Sequence, residues 1–390
     1  MPPEFTLTKH HQHQFSLPED ISYLNCAYMA PLLKSVEEAG IIGLQKKRLP
    51  TQYGHYEFFE EIDHIRKLFA RLINISDYQR VAIIPSVSYG MAIVAKNLRI
   101  SKGENIVVVG EQFPSNVYPW RKKVSEADAE LRTIAVPSGL ENRGLRWNQY
   151  LLEAIDNQTC MVAIPHTHWS DGTLFNLHEI RQRTHEVNAL LVVDGTQSVG
   201  ALSFNAAEIQ PDALICAGYK WLMGPYGITL GFFNDYFDEG EPLEEGWIAR
   251  YKSEDFTNLV NYQDHYQPKA LRYDMGQRSN FITIPMMGRA LEEVLDWRPD
   301  YVQSHCQEIT NSSVARLREL GCWVENETQR GRHLFGIRLP SGASMETLQK
   351  GLKNAKISVS VRGDSIRVSP HVYNQEQDID RLVDSIQQVL

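Results

Sequence analysis

Six short apolar runs alternate with helix-like patterns between about residue 80 and residue 235, and this alternation constrains the fold more than any other feature of the sequence. Each run is almost continuously hydrophobic, which is typical of strands covered on both faces, as in a parallel sheet between two layers of helices. The runs are VAIIP (81–85), NIVVVG (105–110), CMVAIP (160–165), ALLVVD (189–194), ALICAG (213–218) and ITLGFF (228–233). The sequence therefore predicts an α/β fold with a mainly parallel sheet.

The C-terminal part of the chain predicts a second, smaller unit. A helical pattern from Pro285 to Trp297 ends just before Pro299, where a hinge can form. Beyond it the pattern indicates helix, strands, helix, short strands and a final helix in DIDRLVDSIQQVL. We expect an N-terminal arm over residues 1–20, a large domain over 21–295 and a small α+β domain over 296–390, on which the N-terminal segment could pack.

Charge and hydropathy exclude two classes of partner. The formal net charge is -9, whereas a nucleic-acid surface needs clustered Lys and Arg. No apolar run of about 18 residues is present, and MPPEFTLTKHHQHQF lacks the apolar core of a signal peptide. We therefore expect a cytoplasmic protein that binds small molecules, without a membrane or nucleic-acid partner.

Neither the cysteines nor the N-terminal histidines predict a metal site. Cys26, Cys160, Cys216, Cys306 and Cys322 are scattered without a CxxC pair, and they read as reduced core residues. A histidine cluster of this kind, without acidic or cysteine partners, is more typical of a mobile tail than of a metal site; its members are His10, His11 and His13.

Two ionisable residues follow buried strands. Asp194 ends the strand in VVDGTQSVG, and Lys220 follows another strand in ICAGYKWLMGPYG. Ligands of open α/β sheets gather at the carboxyl ends of the strands, so both side chains could face one cleft. A capping or ion-paired Asp194 and a lysine that merely reaches to solvent remain the structural alternatives.

A third strand end, in IPSVSYG (84–90), offers a small polar turn and a helix start, where free N–H groups favour an anion. Simple capping by Ser86 or Ser88 is the alternative. A lysine for a Schiff base, an acid for a pyridine nitrogen and a phosphate site together indicate pyridoxal phosphate as the cofactor.

These motifs resemble the class V aminotransferase group of fold-type I pyridoxal-phosphate enzymes, which includes cysteine desulfurases, kynureninases and isopenicillin-epimerase-like proteins. The resemblance runs from YLNCAYMAPL to IRVSPHVYNQEQDIDRL, and its most specific parts are D-x-x-Q in VVDGTQSVG and the lysine in AGYKWLMGPYG. It implies that Lys220 holds the cofactor as a Schiff base, Asp194 pairs with the pyridine nitrogen and Gln197 bonds the ring oxygen. Val87 and Ser88 would bind the phosphate.

The resemblance also implies aromatic contacts with the cofactor. Phe113 in GEQFPSNVYPW stands where the family stacks an aromatic ring on the cofactor, with a core role as the alternative. Trp169 in HTHWSDG replaces an Asn of the desulfurases. Ala217 replaces a phosphate-binding Ser of the desulfurases, so Tyr219 could donate its hydroxyl to the phosphate instead, or simply pack.

Substrate contacts are implied near both ends of the sequence. Arg367 in SIRVSPH matches the family arginine that grips the substrate carboxylate, and a guanidinium fork suits that task. Arg362 reads as a second clamp or a surface charge. Asn25 lies in a segment that reaches the active site in the family, or caps a turn. Gln277 in DMGQRSN stands where the family reaches the phosphate of the other subunit, which implies a homodimer.

The expected function is that of a pyridoxal-phosphate enzyme acting on an amino acid, with an aminotransferase named first. A C–S lyase, a selenocysteine-lyase-like or kynureninase-like enzyme and an epimerase are the alternatives. AKISVSVRGDSIRVSP has no cysteine ahead of Arg367, which disfavours persulfide-forming desulfurase chemistry. A catalytically silent cofactor-binding regulatory module is the alternative of another class.

Overall fold

The computed structural model describes residues 11–390, so His10 and half of the expected N-terminal arm lie outside the described residues. The helices are α1 (Lys34–Lys46), α2 (Glu61–Leu72), α3 (Val87–Asn97), α4 (Tyr118–Ala127), α5 (Arg143–Ala154), α6 (Leu177–Glu186), α7 (Ala206–Ile209), α8 (Thr283–Trp297), α9 (Pro299–Glu319), α10 (Met345–Asn354) and α11 (Glu376–Gln387). The strands are β1 (Ser22–Tyr23), β2 (Val81–Ile84), β3 (Asn105–Val109), β4 (Glu130–Ile134), β5 (Thr159–Pro165), β6 (Leu190–Asp194), β7 (Ala213–Ala217), β8 (Thr229–Phe233), β9 (Trp323–Val324), β10 (Phe335–Arg338), β11 (Ile357–Ser358), β12 (Ser360–Arg362) and β13 (Ser365–Val368).

The central sheet has seven strands in the order β2-β8-β7-β6-β5-β3-β4. All six apolar runs form strands of this sheet. β4, β3, β5, β6 and β7 are parallel, whereas β8 is antiparallel to both of its neighbours. The prediction of a mainly parallel sheet is therefore confirmed, with β8 as the exception.

The edge strand β4 has no counterpart among the apolar runs. Its sequence, ELRTI, is mostly polar, and only Ile134 of the five residues is buried. An edge strand borders solvent, so it does not need the continuous hydrophobicity by which the other strands were recognised.

Two cores cover the two faces of the sheet. Alternate residues of β3 point to opposite faces: Val107 and Val109 pack in the core formed with α2, α5, α6 and α8, while Ile106 and Val108 pack in the core formed with α3 and α4. This double burial explains why the strand sequences are apolar at nearly every position.

The C-terminal part forms a four-stranded antiparallel sheet, β12-β13-β10-β9, that packs with α9, α10 and α11. β1 pairs in parallel with β11, and Leu24 enters the same core. The helices α8 and α9 are separated only by Arg298, which has a φ of 63°. The domain boundary at residues 295 and 296 stays a prediction.

A buried ionic cluster ties α2 and β2 to the segment before α8. Asp274 accepts hydrogen bonds from Arg66 and Arg278, and its second oxygen accepts from the backbone N–H of Ile83 at 2.8 Å. All three charged side chains are buried. Removal of the carboxylate would leave the buried Arg278 without a counter-ion and Arg66 with only the partly exposed Asp63.

We therefore expect Asp274→Ala to lower the free energy of unfolding by about 3–5 kcal/mol. Urea unfolding followed by fluorescence measures the loss. The matched control is Asp384→Ala, because the Asp384 carboxylate is exposed and pairs with Arg316 at the surface, where a pair contributes roughly 0–1 kcal/mol. Equal stabilities of the two variants would contradict the importance of this cluster.

Candidate active site

A cavity of about 260 Å³ opens at the carboxyl ends of the central strands, and we call it the inner cavity. Its lining comes from the residues that follow β2, β3, β5, β6 and β7. These residues include Val87, Ser88, Phe113, Trp169, Asp194, Gln197, Tyr219 and Lys220. Eight of the residues singled out from the sequence thus share one cavity, as the rule for ligand sites in open α/β sheets predicts.

Lys220 lies in this cavity with only 7% of its surface exposed. Its Nζ is 5.7 Å from the centre of the Phe113 ring and 5.5 Å from that of Tyr219. Burial, with a smaller contribution from the positive charge of Arg367, lowers the pKa of Lys220 to about 8. The neutral fraction of the amine near physiological pH is therefore much larger than for an ordinary lysine, and a nucleophile or a base must be neutral.

Asp194 ends β6 and is 7% exposed. Burial raises the pKa of its carboxyl group, while hydrogen bonds from Thr196 and the charge of Lys220 act in the opposite direction. Its Oδ1 accepts from the backbone N–H of Thr196 at 3.0 Å, and no Lys, Arg or His nitrogen of residues 11–390 lies within 4.0 Å of it. A buried carboxylate without a cationic partner suits a cationic N–H group of a ligand, such as a protonated pyridine nitrogen.

The N-terminus of α3 forms another side of the inner cavity. Ser86 caps the helix, because its Oγ accepts from the backbone N–H of Tyr89 at 3.1 Å. Val87 and Ser88 occupy the first turn, where backbone N–H groups have no acceptor within the helix. The Ser88 hydroxyl donates to Ser115 at 2.8 Å. This arrangement suits a phosphate, so the donor set fits pyridoxal phosphate as a whole.

Two aromatic side chains, Phe113 and Trp169, line the inner cavity together with Lys220. Phe113 is 41% exposed, so it is not a core residue, and its ring contacts Trp169 edge to face with centroids 5.6 Å apart. The indole N–H of Trp169 donates to the Glu111 carbonyl at 2.6 Å, which fixes the orientation of the indole.

Gln197 is held by two protein hydrogen bonds. Its Oε1 accepts from the indole N–H of Trp221 at 2.9 Å, and its Nε2 donates to the carbonyl of Ala27 at 3.1 Å. The second hydrogen on Nε2 is left for a ligand in the inner cavity. Gly200 allows this packing: its φ is 102°, and a Cβ there would lie 2.3 Å from the Trp221 carbonyl.

A second cavity of about 460 Å³, the outer cavity, shares Phe113, Trp169, Tyr219, Lys220 and Tyr226 with the inner one and adds Ala27, Tyr28, Met29, Arg362 and Arg367. Arg367 is 2% exposed. Its Nη1 donates to the Trp169 carbonyl at 2.9 Å, and its Nε has no hydrogen-bond acceptor among residues 11–390. Burial and the neighbouring Arg362 lower the pKa of Arg367 to about 9.

Two of the expected site residues line neither cavity. Asn25 is buried beside the site, where its Oδ1 accepts from the Ser360 hydroxyl at 2.8 Å. Gln277 is exposed and lies outside both linings. The structure of this chain alone therefore does not bring Gln277 to the amine of Lys220.

Sequence reasoning missed several lining residues. Thr196 bonds Asp194, and Gln112, Ser115 and Tyr226 line the inner cavity. Thr196 follows Asp194 by two residues directly after a strand, and this spacing is typical of a turn in which the Asp side chain bonds the backbone. The sequence therefore did contain a signal for the contact between Thr196 and Asp194. Tyr226 comes from the loop after Pro225, and no periodicity could have indicated where that loop lies.

Two features of the described part of the chain concern metals and membranes. Residues 11–390 contain no group of three or more His, Cys, Asp or Glu side chains that could hold a metal ion. The His11 ring packs against Trp297 and Tyr301. Among the same residues, every helix is too short or too polar to cross a membrane.

Comparison with known proteins indicates the same class of enzyme as the geometry of the site. The family model for aminotransferase class-V matches residues 51–382. The uncharacterized aminotransferase YcbU of Bacillus subtilis is 25% identical over 85% of this chain and 84% of that protein. A probable cysteine desulfurase of Methanothermobacter thermautotrophicus is 23% identical over 99% of this chain and 98% of that protein.

A solved structure shares the fold. The chain superposes on a variant of C-DES, with glycine covalently linked to its PLP cofactor, at a TM-score of 0.86, with 17% identity, 98% of this chain covered and 100% of that one. The fold is therefore fold-type I, and the site belongs to the pyridoxal-phosphate-dependent enzymes. The chain is a member of the aminotransferase class-V family.

The lowered pKa of Lys220 predicts how cofactor attachment depends on pH. Attack on an aldehyde requires the neutral amine, of which roughly one in ten is present at pH 7 when the pKa is about 8. The rate of attachment of pyridoxal phosphate to the apoprotein should therefore rise about tenfold per pH unit below about pH 7, rise less steeply through pH 8 and level off above about pH 9. Stopped-flow absorbance measures the rate.

Borohydride reduction followed by peptide mass spectrometry identifies the attached residue. Lys220→Ala should yield no modified peptide at this position, whereas Lys96→Ala, which alters a lysine paired with Glu241, should behave as wild type. A rate that keeps rising to pH 10 would contradict the lowered pKa, and modification of another lysine in the wild-type protein would remove Lys220 from the site.

Proposed function

We propose that this enzyme is an aminotransferase for amino acids, in which Lys220 moves the proton, Asp194 holds the cofactor nitrogen and Arg367 binds the substrate carboxylate. The supporting observation is the lining of the inner cavity. In the part of the chain that the structure describes, that lining contains no histidine or cysteine, and Lys220 is its only amine. Lys220 is therefore the one amine in the described lining that could move a proton at the α carbon of the substrate.

Pyridoxal phosphate, when bound, withdraws electrons from the bonds to the α carbon of an amino acid. The Asp194 carboxylate would keep the proton on the pyridine nitrogen, and the first turn of α3 would bind the phosphate. The free hydrogen of the Gln197 amide would bond the ring oxygen. Phe113 and Trp169 would pack on the ring, and Tyr219 would bond the phosphate or pack beside it.

Lys220 is the base in this proposal. With the cofactor bound, the neutral Nζ of Lys220 would accept the proton from the α carbon of the substrate and would return a proton on the same face. Transamination requires no further base. Epimerisation requires a second proton donor on the opposite face. Apart from Lys220, the described lining residues include no amine or imidazole, so that donor would have to be a phenol of Tyr28, Tyr219 or Tyr226.

A C–S lyase is the second candidate. Tyr219 and Tyr226 lie together at the inner cavity, with ring centroids 4.6 Å apart, and a phenol there could protonate a leaving thiolate. Burial raises the pKa of Tyr219, which makes it a weaker proton donor. This argues for transamination as the first choice.

Persulfide transfer, the chemistry of a desulfurase, has no support from the cysteines. Residues 355–370, which lead to Arg367, contain none. Cys26, the cysteine whose charge couples to Lys220, is fully buried, and burial raises its pKa to about 12. Such a thiol is a poor nucleophile.

We further propose that the chain forms a homodimer in the cytoplasm. Three large apolar side chains of α1 are exposed, namely Ile41, Ile42 and Leu44, with Ile42 at 58%. Their burial between two copies would remove apolar surface from water. A second copy could also bring Gln277 to the phosphate site. The five cysteines are all free, which suits a reducing compartment.

Product analysis tests the reaction. We expect holoenzyme mixed with a panel of amino acids and 2-oxo acids to yield the new amino acid and oxo acid, as detected by mass spectrometry. Release of pyruvate with sulfide or another β-substituent would establish the lyase instead. Formation of no product with any amino acid would favour a silent cofactor-binding module.

The same assay with Asp194→Asn should show turnover reduced by roughly 10²–10³-fold, because an amide does not stabilise the charged ring nitrogen. Cofactor attachment to Lys220 should persist. Asp156→Asn, at an exposed carboxylate that pairs with Arg132, is the matched control. Full activity of Asp194→Asn would remove Asp194 from its proposed role.

Light scattering after size exclusion tests the dimer. We expect a wild-type mass twice that of one chain and a shift towards the monomer in Ile42→Glu, because a charge would be buried at the interface. Leu145→Glu, at a similarly exposed residue on α5, should leave the mass unchanged. A monomeric wild type would contradict the proposal.

A further inference from the structure

The hairpin of β12 and β13 presents two arginines on one face. Ser360 pairs with Arg367 and Arg362 pairs with Ser365 in the antiparallel register. Residues directly opposite each other share a face, and so do residues two apart along a strand. Arg362 and Arg367 are therefore diagonal neighbours on the same face, a spacing that long side chains can bridge. Both line the outer cavity.

Arg362 lacks an acidic partner within the described chain. Its Nη1 donates to the carbonyl of Val361 at 2.9 Å, its Nε is buried without an acceptor, and its guanidinium carbon lies 5.5 Å from the centre of the Trp169 ring. No carboxylate oxygen of residues 11–390 lies within 4.0 Å of Arg362 or Arg367.

The buried arginines outside the outer cavity each have a carboxylate or backbone carbonyl partner in the protein. Arg66 and Arg278 share Asp274, and Arg143 pairs with Asp171. Arg330 donates to two backbone carbonyls. Arg362 and Arg367 differ from these arginines because both line the outer cavity and neither has a carboxylate oxygen of residues 11–390 within 4.0 Å.

The charges around the outer cavity do not balance. Lys220, Arg362 and Arg367 are three cations, and Arg367 and Arg362 both lower the pKa of Lys220. Asp194 is the carboxylate that lines the inner cavity on the described chain. The anion site at the start of α3 belongs to the inner cavity and not to the outer one. One substrate carboxylate on Arg367 would thus leave the Arg362 cation uncompensated.

We propose that Arg362 binds a second anionic group, on the side chain of the substrate, so that the preferred substrates are amino acids with an acidic side chain. This inference rests on the proposed function, in which Arg367 holds the α-carboxylate. Arg362 and Arg367 contact different parts of Trp169, the indole ring and the backbone carbonyl respectively. Trp169 and Met29 of the same cavity provide apolar surface for the carbon chain between the two acidic groups.

Binding of compounds without an amino group tests the proposal independently of turnover. The holoenzyme is titrated by calorimetry with glutarate, which carries two carboxylates, and with butyrate, in which a hydrogen atom replaces the second carboxylate. We expect glutarate to bind at least tenfold more tightly. Arg362→Gln should weaken glutarate binding by roughly 10- to 100-fold, the usual loss for a charge-assisted hydrogen bond, and should abolish the preference.

Two further variants complete the test. Arg362→Lys keeps the positive charge without the bidentate guanidinium geometry, and it should retain part of the preference for glutarate over butyrate. Arg316→Gln, at an arginine on α9 that pairs with Asp384 far from the cavity, should leave both affinities as in wild type. Comparison of 3-sulfopropionate and 3-phosphonopropionate with succinate identifies which anionic group Arg362 prefers.

Two results would overturn the proposal. Equal weakening of glutarate and butyrate in Arg362→Gln would mean that both arginines hold one carboxylate, and a wild-type enzyme without a diacid preference would mean that Arg362 binds no substrate group. Failure of the aminotransferase assay with an intact diacid preference would contradict the proposed reaction but leave this inference standing.

Discussion

Burial of one amine and one carboxylate at the edge of a sheet is the constraint on which the candidate site depends. Lys220 and Asp194 each lie after one of two neighbouring parallel strands, β7 and β6, where a charged group has little water to stabilise it. The amine responds with a lowered pKa, and the carboxylate is held by Thr196. Neither group is neutralised by a direct protein ion pair within the described chain, so a ligand that carries both an electrophile and a cationic nitrogen complements them. The sheet supplies this geometry because parallel strands all end at the same edge.

Much of the large sheet could be predicted because its strands are buried on both faces. VAIIP and ALICAG are apolar at every core position, and each formed the expected strand. β4 was missed because an edge strand exposed to solvent has a less continuous hydrophobic pattern. The reversal of β8 was not predicted either. A buried strand has the same composition in a parallel or antiparallel position, and only the length of the connection, here the loop through Gly224 and Gly227, distinguishes them.

Site residues that follow strands could be predicted from the sequence, whereas site residues in loops could be predicted less well. Lys220, Asp194 and Ser88 follow strands, and all three line the inner cavity. Tyr226 lies in a loop whose path depends on distant packing, so its role had no local signature. The lack of an acidic partner for Arg362 could not be seen from sequence, because it depends on the carboxylates that surround the side chain in three dimensions. Conversely, Asn25 and Gln277 were expected from family resemblance, and in this chain they lie outside the lining of both cavities.

The wall of the outer cavity is assembled from segments that are remote in the sequence. Ser360 bonds Asn25 across 335 positions, and the Ser369 hydroxyl bonds the Ala27 amide across 342. During synthesis on a ribosome, the segment that contains Ala27 and Tyr28 emerges long before the hairpin that carries Arg362 and Arg367. The strands that position Lys220 and Asp194 are synthesised earlier than this hairpin, so the nascent chain contains the buried amine before the arginines that we propose to bind the substrate. On this proposal, the growing chain can bind the cofactor side of the site before it can bind a substrate carboxylate.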